Sequence, residues 1–319
     1  MRRSLQIREG LVDFSSNDYL GLARSPQVIL KLGSTGSRLL TGNSREAERL
    51  ERDLAVYYGY EAGLLFNCGY MANMGLLSTL KGTLLYDAQV HTSMKEGIRL
   101  SQAKAYPFRH SDTEHLEARL KHKEGPVYIC FESIDSTDGS IAPINEILRL
   151  SQDYGAHLIV DEAHAVGVFG EGLVKVPVFA KIATFGKALG AFGAIVLSSD
   201  KLKHHLINTC RPFIYTTALP YYALEAIRQA HALLPELEKE RRHLFDLIHL
   251  CAFSKTPIQP LFVPGEVEVK ELSLRLASCG FDVRPLISPT VRRGFERLRI
   301  CLHAFNTESE VLRLKEALS

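Results

Sequence analysis

Three short segments set polar side chains directly behind apolar runs, where a purely structural sequence has no need of them. Leu158-Ile159-Val160-Asp161-Glu162-Ala163-His164 delivers a carboxylate at the end of an apolar stretch and an imidazole three residues later. Ala183-Thr184-Phe185-Gly186-Lys187-Ala188 places an amine among small residues. Tyr86-Asp87-Ala88-Gln89-Val90-His91 adds a second carboxylate and a second imidazole. An amine partly withdrawn from water favours its uncharged form, which is the form that condenses with a carbonyl group.

Each residue taken singly has a plainer reading: Lys187 as a surface cation, Asp161 as a helix cap, His91 as a satisfied polar group. Together they offer an amine for an aldehyde, a carboxylate for a pyridinium nitrogen and a flat group for a ring face. Rival chemistries fail on the residues. Gly186-Lys187 is followed by Ala188, with no Ser or Thr for magnesium and no upstream glycine of a phosphate loop. Gly33-Ser34-Thr35-Gly36 lacks the third glycine and preceding strand of a dinucleotide fingerprint, and Gly-x-Ser-x-Gly occurs nowhere.

The elements that must position these groups alternate between short apolar runs and longer amphipathic ones, the pattern of an α/β fold. Strands are expected at Gly63–Phe66, Leu84–Tyr86, Lys104–Tyr106, Val127–Phe131, His157–Val160, Lys181–Phe185 and Ala194–Leu197. Helices are expected at Glu46–Tyr58, Met71–Leu80, Ser93–Ser101, Thr113–Lys121 and Pro143–Tyr154. Such a succession builds a mainly parallel seven-stranded sheet covered on both faces, with ligands beyond the carboxyl ends of its strands.

After Pro220 the texture changes to a long helical stretch, Tyr221 to Leu250, leading into a smaller α+β region. That region holds strands at Ile258–Val263, Phe281–Arg284 and Leu298–Leu302 and helices at Val267–Ser278 and Thr307–Leu318. The expected division is an N-terminal arm over 1–30, a large domain over 31–232 and a small domain over 233–319, the two domains sharing a cleft.

With 46% hydrophobic and 23% charged residues the chain has the balance of a globular protein with a sizeable core. A net charge of +2 without a basic block gives no footprint for nucleic acid. No run reaches the length of a membrane span, and the polar N-terminus is unlike a secretory signal. Six scattered cysteines without a Cys-x-x-Cys pair argue for reduced thiols, no metal site and a cytoplasmic setting.

Several motifs in order, among them Asp13-Phe14-Ser15-Ser16-Asn17-Asp18-Tyr19-Leu20-Gly21-Leu22, Gly33-Ser34-Thr35-Gly36-Ser37-Arg38-Leu39, Val160-Asp161-Glu162-Ala163-His164, Thr184-Phe185-Gly186-Lys187 and Tyr215-Thr216-Thr217, resemble those of the α-oxoamine synthases. These are pyridoxal 5'-phosphate enzymes of the aspartate-aminotransferase fold, fold type I, and the resemblance runs over nearly the whole chain. It implies a decarboxylating acyltransferase that joins an amino acid to an acyl thioester on coenzyme A or an acyl carrier protein. The Gly-Ser-x-Gly-Ser-Arg form and Ile258-Gln259-Pro260-Leu261 lean toward members that use L-alanine and a pimeloyl thioester in biotin synthesis; acceptance of glycine or serine, and a non-catalytic assembly partner, are the alternatives.

By the same resemblance Lys187 carries the cofactor and then removes the Cα proton, Asp161 pairs with the pyridine nitrogen, and His91 stacks on the ring. His164 and Ser136 lie near the phenolic oxygen, while Thr184 and the backbone N–H groups of Gly69 and Tyr70 hold the phosphate. A hydroxyl of Thr216 or Thr217 reaches the partner's site in an obligate homodimer. Asn17 lies near the acyl substrate, and Arg299 holds the amino-acid carboxylate, although alternation sets Arg297 and Arg299 on one strand face and spacing does not choose between them. The chain departs from the family at Ala47, where a histidine is usual, at Ala191-Phe192, where smaller residues are common, and over Gly172 to Lys181, which is short.

Overall fold

The computed structural model describes residues 11–14, 19–20, 33–121, 123 and 125–318. Among these, residues 33–136 and 141–237 form one compact unit, and 11–20, 137–140 and 238–318 form another.

The first unit is built on a seven-stranded sheet. Numbered in chain order after a short strand β1 (Val12–Asp13), its strands are β2 (Ala62–Phe66), β3 (Thr83–Asp87), β4 (Lys104–Phe108), β5 (Val127–Glu132), β6 (His157–Asp161), β7 (Ala180–Thr184) and β8 (Ala194–Ser198). They lie in the order β2-β8-β7-β6-β5-β3-β4. The pairs from β7 to β4 are parallel, whereas β8 runs antiparallel to both β2 and β7.

Helices α1 (Arg45–Tyr57), α2 (Gly69–Ser78), α3 (Thr92–Leu100), α4 (Thr113–Leu120), α5 (Ile144–Asp153), α6 (Asp200–Thr209), α7 (Arg211–Ile214) and α8 (Tyr221–Leu233) follow or join these strands. Side-chain alternation splits the core into two layers. Cys130 and Ile159 pack with Leu76, Met94 and Leu206 on one face, while Ile129, Phe131, Leu158 and Val160 pack with Leu116 and Ile147 on the other. The sheet is thus covered on both sides, as its near-continuous apolar strands require.

The expected strands and the first five expected helices are all found, with ends shifted by one or two residues. Helices α6 and α7 are additions that the sequence reading did not include. The predicted helical stretch from Tyr221 to Leu250 is interrupted: α8 stops at Leu233, a 3-10 turn spans Leu234–Glu236, and α9 (Glu238–Cys251) begins anew. Pro235 lacks the N–H that a continuous helix would need there.

The second unit carries a three-stranded antiparallel sheet, β11-β12-β9, made of β9 (Ile258–Phe262), β11 (Arg284–Leu286) and β12 (Arg297–Cys301). Its helices are α9, α10 (Glu266–Ser278) and α11 (Glu308–Leu318). The predicted strand Phe281–Arg284 divides at Val283 into β10 (Phe281–Asp282) and β11, because β10 pairs instead with β1. Phe14 and Tyr19 are wholly buried, and their backbone carbonyls accept from Cys301 and Ala304. The prolines within strands, Pro107, Pro260 and Pro285, all sit on edge strands, where a missing donor is tolerated.

Candidate active site

The parallel strands β7, β6, β5 and β3 end on the same edge of the sheet, so the polar residues behind them collect in a row. Glu132 lies opposite Asp161 in register, and Asp161 lies opposite Ile182, two residues before Thr184. The row therefore runs from Lys187 through Asp161 and Glu132 to Asp87 and His91.

Lys187 Nζ lies 2.7 Å from His164 Nε2. At that distance one nitrogen donates and the other accepts, so the pair shares a proton position. Asp161 is 6% exposed, and both of its carboxylate oxygens are engaged. Oδ1 accepts the Ala163 N–H at 2.9 Å and Oδ2 accepts the Asn73 amide at 2.6 Å. His91 caps α3, its Nδ1 accepting from the Ser93 N–H at 3.2 Å and lying 2.7 Å from the Ser93 hydroxyl.

Glu132 ties two of these loops together. Its carboxylate accepts the backbone N–H of His91 through one oxygen and that of Ser136, at 3.2 Å, through the other. Burial holds its carboxyl well above the usual carboxylate range, reinforced by Asp161 and Asp135 and opposed by Lys187 and the His91 N–H. The fully buried Glu162 plays a similar part behind Asp161: it accepts from Ser133 Oγ at 2.6 Å and from the N–H groups of Leu173 and Val174. Gly172, at φ +112°, passes so close that a Cβ would stand 2.8 Å from Glu162 Cδ.

Beside the end of β7, α2 opens at Gly69 rather than Met71, and its N-cap residue Cys68 makes no side-chain capping hydrogen bond. By contrast α1, α4 and α6 are capped by Ser44, Asp112 and Ser199. An uncapped first turn presents unpaired N–H groups and the positive end of the helix dipole, which suits an anion. Thr184 packs against this turn, 3.4 Å from where a Cβ on Gly69 would stand. Tyr70 follows Gly69 in the same turn and is 42% exposed.

Not every residue singled out in the sequence falls in this row. Thr216 and Thr217 line a small cavity with Arg38, Phe66 and Asn67, and Thr217 forms a β-bridge with Ser37. Arg299 belongs to β12 in the other unit, where it donates to the Tyr19 hydroxyl at 3.4 Å. Asn17 lies outside the described residues. Conversely, Asn73, Ser93, Glu132 and Glu162 escaped the sequence reading. Only Glu132 and Glu162 carried a signal, as carboxylates at the ends of apolar strands.

The fold and the row of groups define a cofactor-dependent transferase of fold type I, and comparison with known proteins identifies it further. The family model for aminotransferase class I and II matches residues 9–318. An 8-amino-7-oxononanoate synthase from Emericella nidulans is 38% identical, covering 100% of this chain and 91% of that protein. The enzyme of the same name from Cellvibrio japonicus is 37% identical over 96% of this chain and 85% of its own length. Among solved structures, a serine palmitoyltransferase from Sphingomonas wittichii superposes with a TM-score of 0.88 at 27% identity, covering 97% of this chain and 86% of that one. The 8-amino-7-oxononanoate synthase from Francisella tularensis gives 0.82 at 25% identity, with 98% and 97% covered.

The chain belongs to the α-oxoamine synthases, enzymes of the aminotransferase class I and II family that use pyridoxal phosphate. The residues present fit that cofactor. An amine, a buried carboxylate and an uncapped helix start with an adjacent hydroxyl match its aldehyde, ring nitrogen and phosphate. Among the described residues no helix is long and apolar enough to cross a membrane.

Proposed function

We propose that the chain condenses L-alanine with a pimeloyl thioester, releasing carbon dioxide and free thiol and forming 8-amino-7-oxononanoate for biotin synthesis. The observation that carries this reading is the run of 36–38% identity to 8-amino-7-oxononanoate synthases over 96% or more of the chain, with the amine–imidazole pair of Lys187 and His164 in place.

Lys187 holds the cofactor through its amine, Asp161 holds the ring nitrogen protonated, and His91 covers the ring. His164 and Ser136 face the phenolic oxygen, and Thr184 with the Gly69 and Tyr70 N–H groups holds the phosphate. When bound, the cofactor supplies an electron sink for charge developing at the amino-acid Cα. Lys187 Nζ, freed once the substrate amine has displaced it from the cofactor, would take the Cα proton, with His164 beside it to share the resulting charge. Arg299 orients the substrate carboxylate. Arg297 is the poorer choice, since its guanidinium is already held by Asp138 at 3.4 Å, the Phe295 carbonyl and the face of Phe262. Asn17 is assigned to the acyl substrate on the family resemblance.

The active form in this reading is a cytoplasmic homodimer in which Thr216 or Thr217 reaches the partner's phosphate. Supporting it, Leu40 is 82% and Tyr215 77% exposed beside the Ser37–Thr217 bridge, an apolar surface of the kind a second copy covers, and all six cysteines are free. The test is turnover with pyridoxal phosphate, L-alanine and pimeloyl thioester, on coenzyme A and on acyl carrier protein, read as carbon dioxide and thiol release. Glycine with acetyl-coenzyme A and serine with palmitoyl-coenzyme A are parallel arms. Faster turnover in either of those arms, or none in any, would refute the reading.

A further inference from the structure

We propose that Asn73 is a positioning residue that locks Asp161 and His91 into one hydrogen-bonded unit through Ser93. The inference rests on the cofactor assignments above, but its geometry stands without them.

Asn73 lies in the second turn of α2, 2% exposed, behind the sheet edge. Its amide nitrogen has two hydrogens and two acceptors in reach: Asp161 Oδ2 at 2.6 Å and Ser93 Oγ at 3.1 Å. The side chain cannot be turned over, because its carbonyl oxygen would then face the Asp161 carboxylate. Accordingly Asn73 Oδ1 is the atom that lies buried with no hydrogen-bond partner. A buried acceptor is left without a donor here, so the donor side sets the orientation.

The proton inventory continues outward. Ser93 Oγ, having accepted from Asn73, has its own hydrogen for His91 Nδ1 at 2.7 Å, and the Ser93 N–H points to the same nitrogen at 3.2 Å. Two donors on Nδ1 leave no place for a proton there. The neutral imidazole is therefore the Nε2–H tautomer, and its ring plane is held at the start of α3. On the inner side, the Ala163 N–H takes Oδ1 of Asp161 and Asn73 takes Oδ2, which fixes the carboxylate plane. One amide thus presets both the group for the ring nitrogen and the group for the ring face.

The two branches can be cut separately. Ser93→Ala removes the hydroxyl link to His91 and leaves Asn73 on Asp161; Asn73→Ala removes both. Asn73→Asp keeps the shape but, when ionised, draws the Ser93 hydroxyl toward itself and repels Asp161. Imidazole ¹⁵N shifts of the cofactor-free protein, with His91 assigned by a His91→Gln difference spectrum, should show a pure Nε2–H tautomer in the parent. A Nδ1–H population should appear in Asn73→Asp. Equilibrium binding of pyridoxal phosphate should weaken on the order of tenfold in Asn73→Ala and stay within about twofold in Ser93→Ala.

If Asn73→Asp does not fold, the two alanine variants carry the test alone. The proposal fails if both bind the cofactor as the parent does, if both lose affinity equally, or if His91 in the parent is a mixture of tautomers. Should the parent itself take up no pyridoxal phosphate, the functional reading fails while the tautomer measurement still decides the hydrogen-bonded unit.

Discussion

Two buried polar centres in the large unit follow opposite rules. Around Glu51, 1% exposed, the charges close on themselves: Arg38 at 2.7 Å, Lys203 at 3.0 Å and the Leu65 N–H at 3.0 Å saturate one carboxylate. Along the sheet edge the balance is left open. Asp161 and Asp135 stand near Glu132, opposed there by Lys187, and burial with their repulsion raises Glu132. The first centre staples residues 38, 51 and 203 together and has its partners already. The second holds groups of one sign near each other at a cost, which a folded chain sustains where a ligand is to complete the set.

Breaking each centre in turn sharpens the contrast. Lys187→Ala should reduce condensation by about 10⁴-fold or more while leaving the thermal midpoint within a few degrees, since the side chain is half-buried at the end of a strand. Steady-state turnover beside a thermal scan checks both halves. Glu51→Gln should do the reverse: a loss of about 3 kcal/mol in denaturant unfolding, from stranding Arg38 and Lys203, with turnover at saturation within about threefold of the parent. Equal effects of the two substitutions on stability would erase the distinction.

A pH experiment probes a second closed centre. His231 donates Nδ1–H to the Ile227 carbonyl at 2.8 Å and meets the Tyr58 hydroxyl with Nε2 at 3.0 Å. Burial pushes its pKa from 6.5 down to about 4, partly offset by the bond to Ile227. In the unfolded chain this histidine takes up its proton near the higher value, so the stability it permits above pH 6.5 is lost as pH falls toward 4. The loss should reach on the order of 3 kcal/mol, and His231→Phe should flatten the unfolding profile across that window. A parallel profile in the variant would place the acid sensitivity elsewhere.

The smallest expected effect separates the two arginines of β12. Arg299→Lys should raise KM for the amino acid about thirtyfold with a lesser change in kcat, because a lysine cannot grip a carboxylate in two places. Arg297→Lys should leave that KM within about threefold and lower stability instead, through lost contact with Asp138 and the Phe262 ring 4.4 Å away. Initial-rate kinetics over L-alanine concentration would reveal an exchange of roles if the two patterns were swapped.

Much of the fold was legible because its elements are periodic. The apolar runs that end at Asp161 and Thr184 read as buried strands, and the periodic stretches behind Ser44 and Asp112 read as α1 and α4, whereas α6 went unread although Ser199 caps it. The break in the Tyr221–Leu250 stretch was written in Pro235 and was passed over. The pairing of β10 with β1 was not legible, since Val12 and Phe281 are far apart in the chain and neither carries a local mark of the other.

The same divide runs through the site. Residue type and position behind a strand were enough to single out Lys187, Asp161, His164 and His91, because those signals are local. Asn73 meets Asp161 across 88 residues, and Arg299 meets Tyr19 across 280. Which amide orients which carboxylate, and which of two arginines is ion-paired with Asp138, depends on distances that exist only after the chain has folded. Chemistry-bearing residues are a property of the chain, whereas their proton positions and charge balance belong to the packed molecule, since hydrogen bonds and burial act through space and not along the backbone.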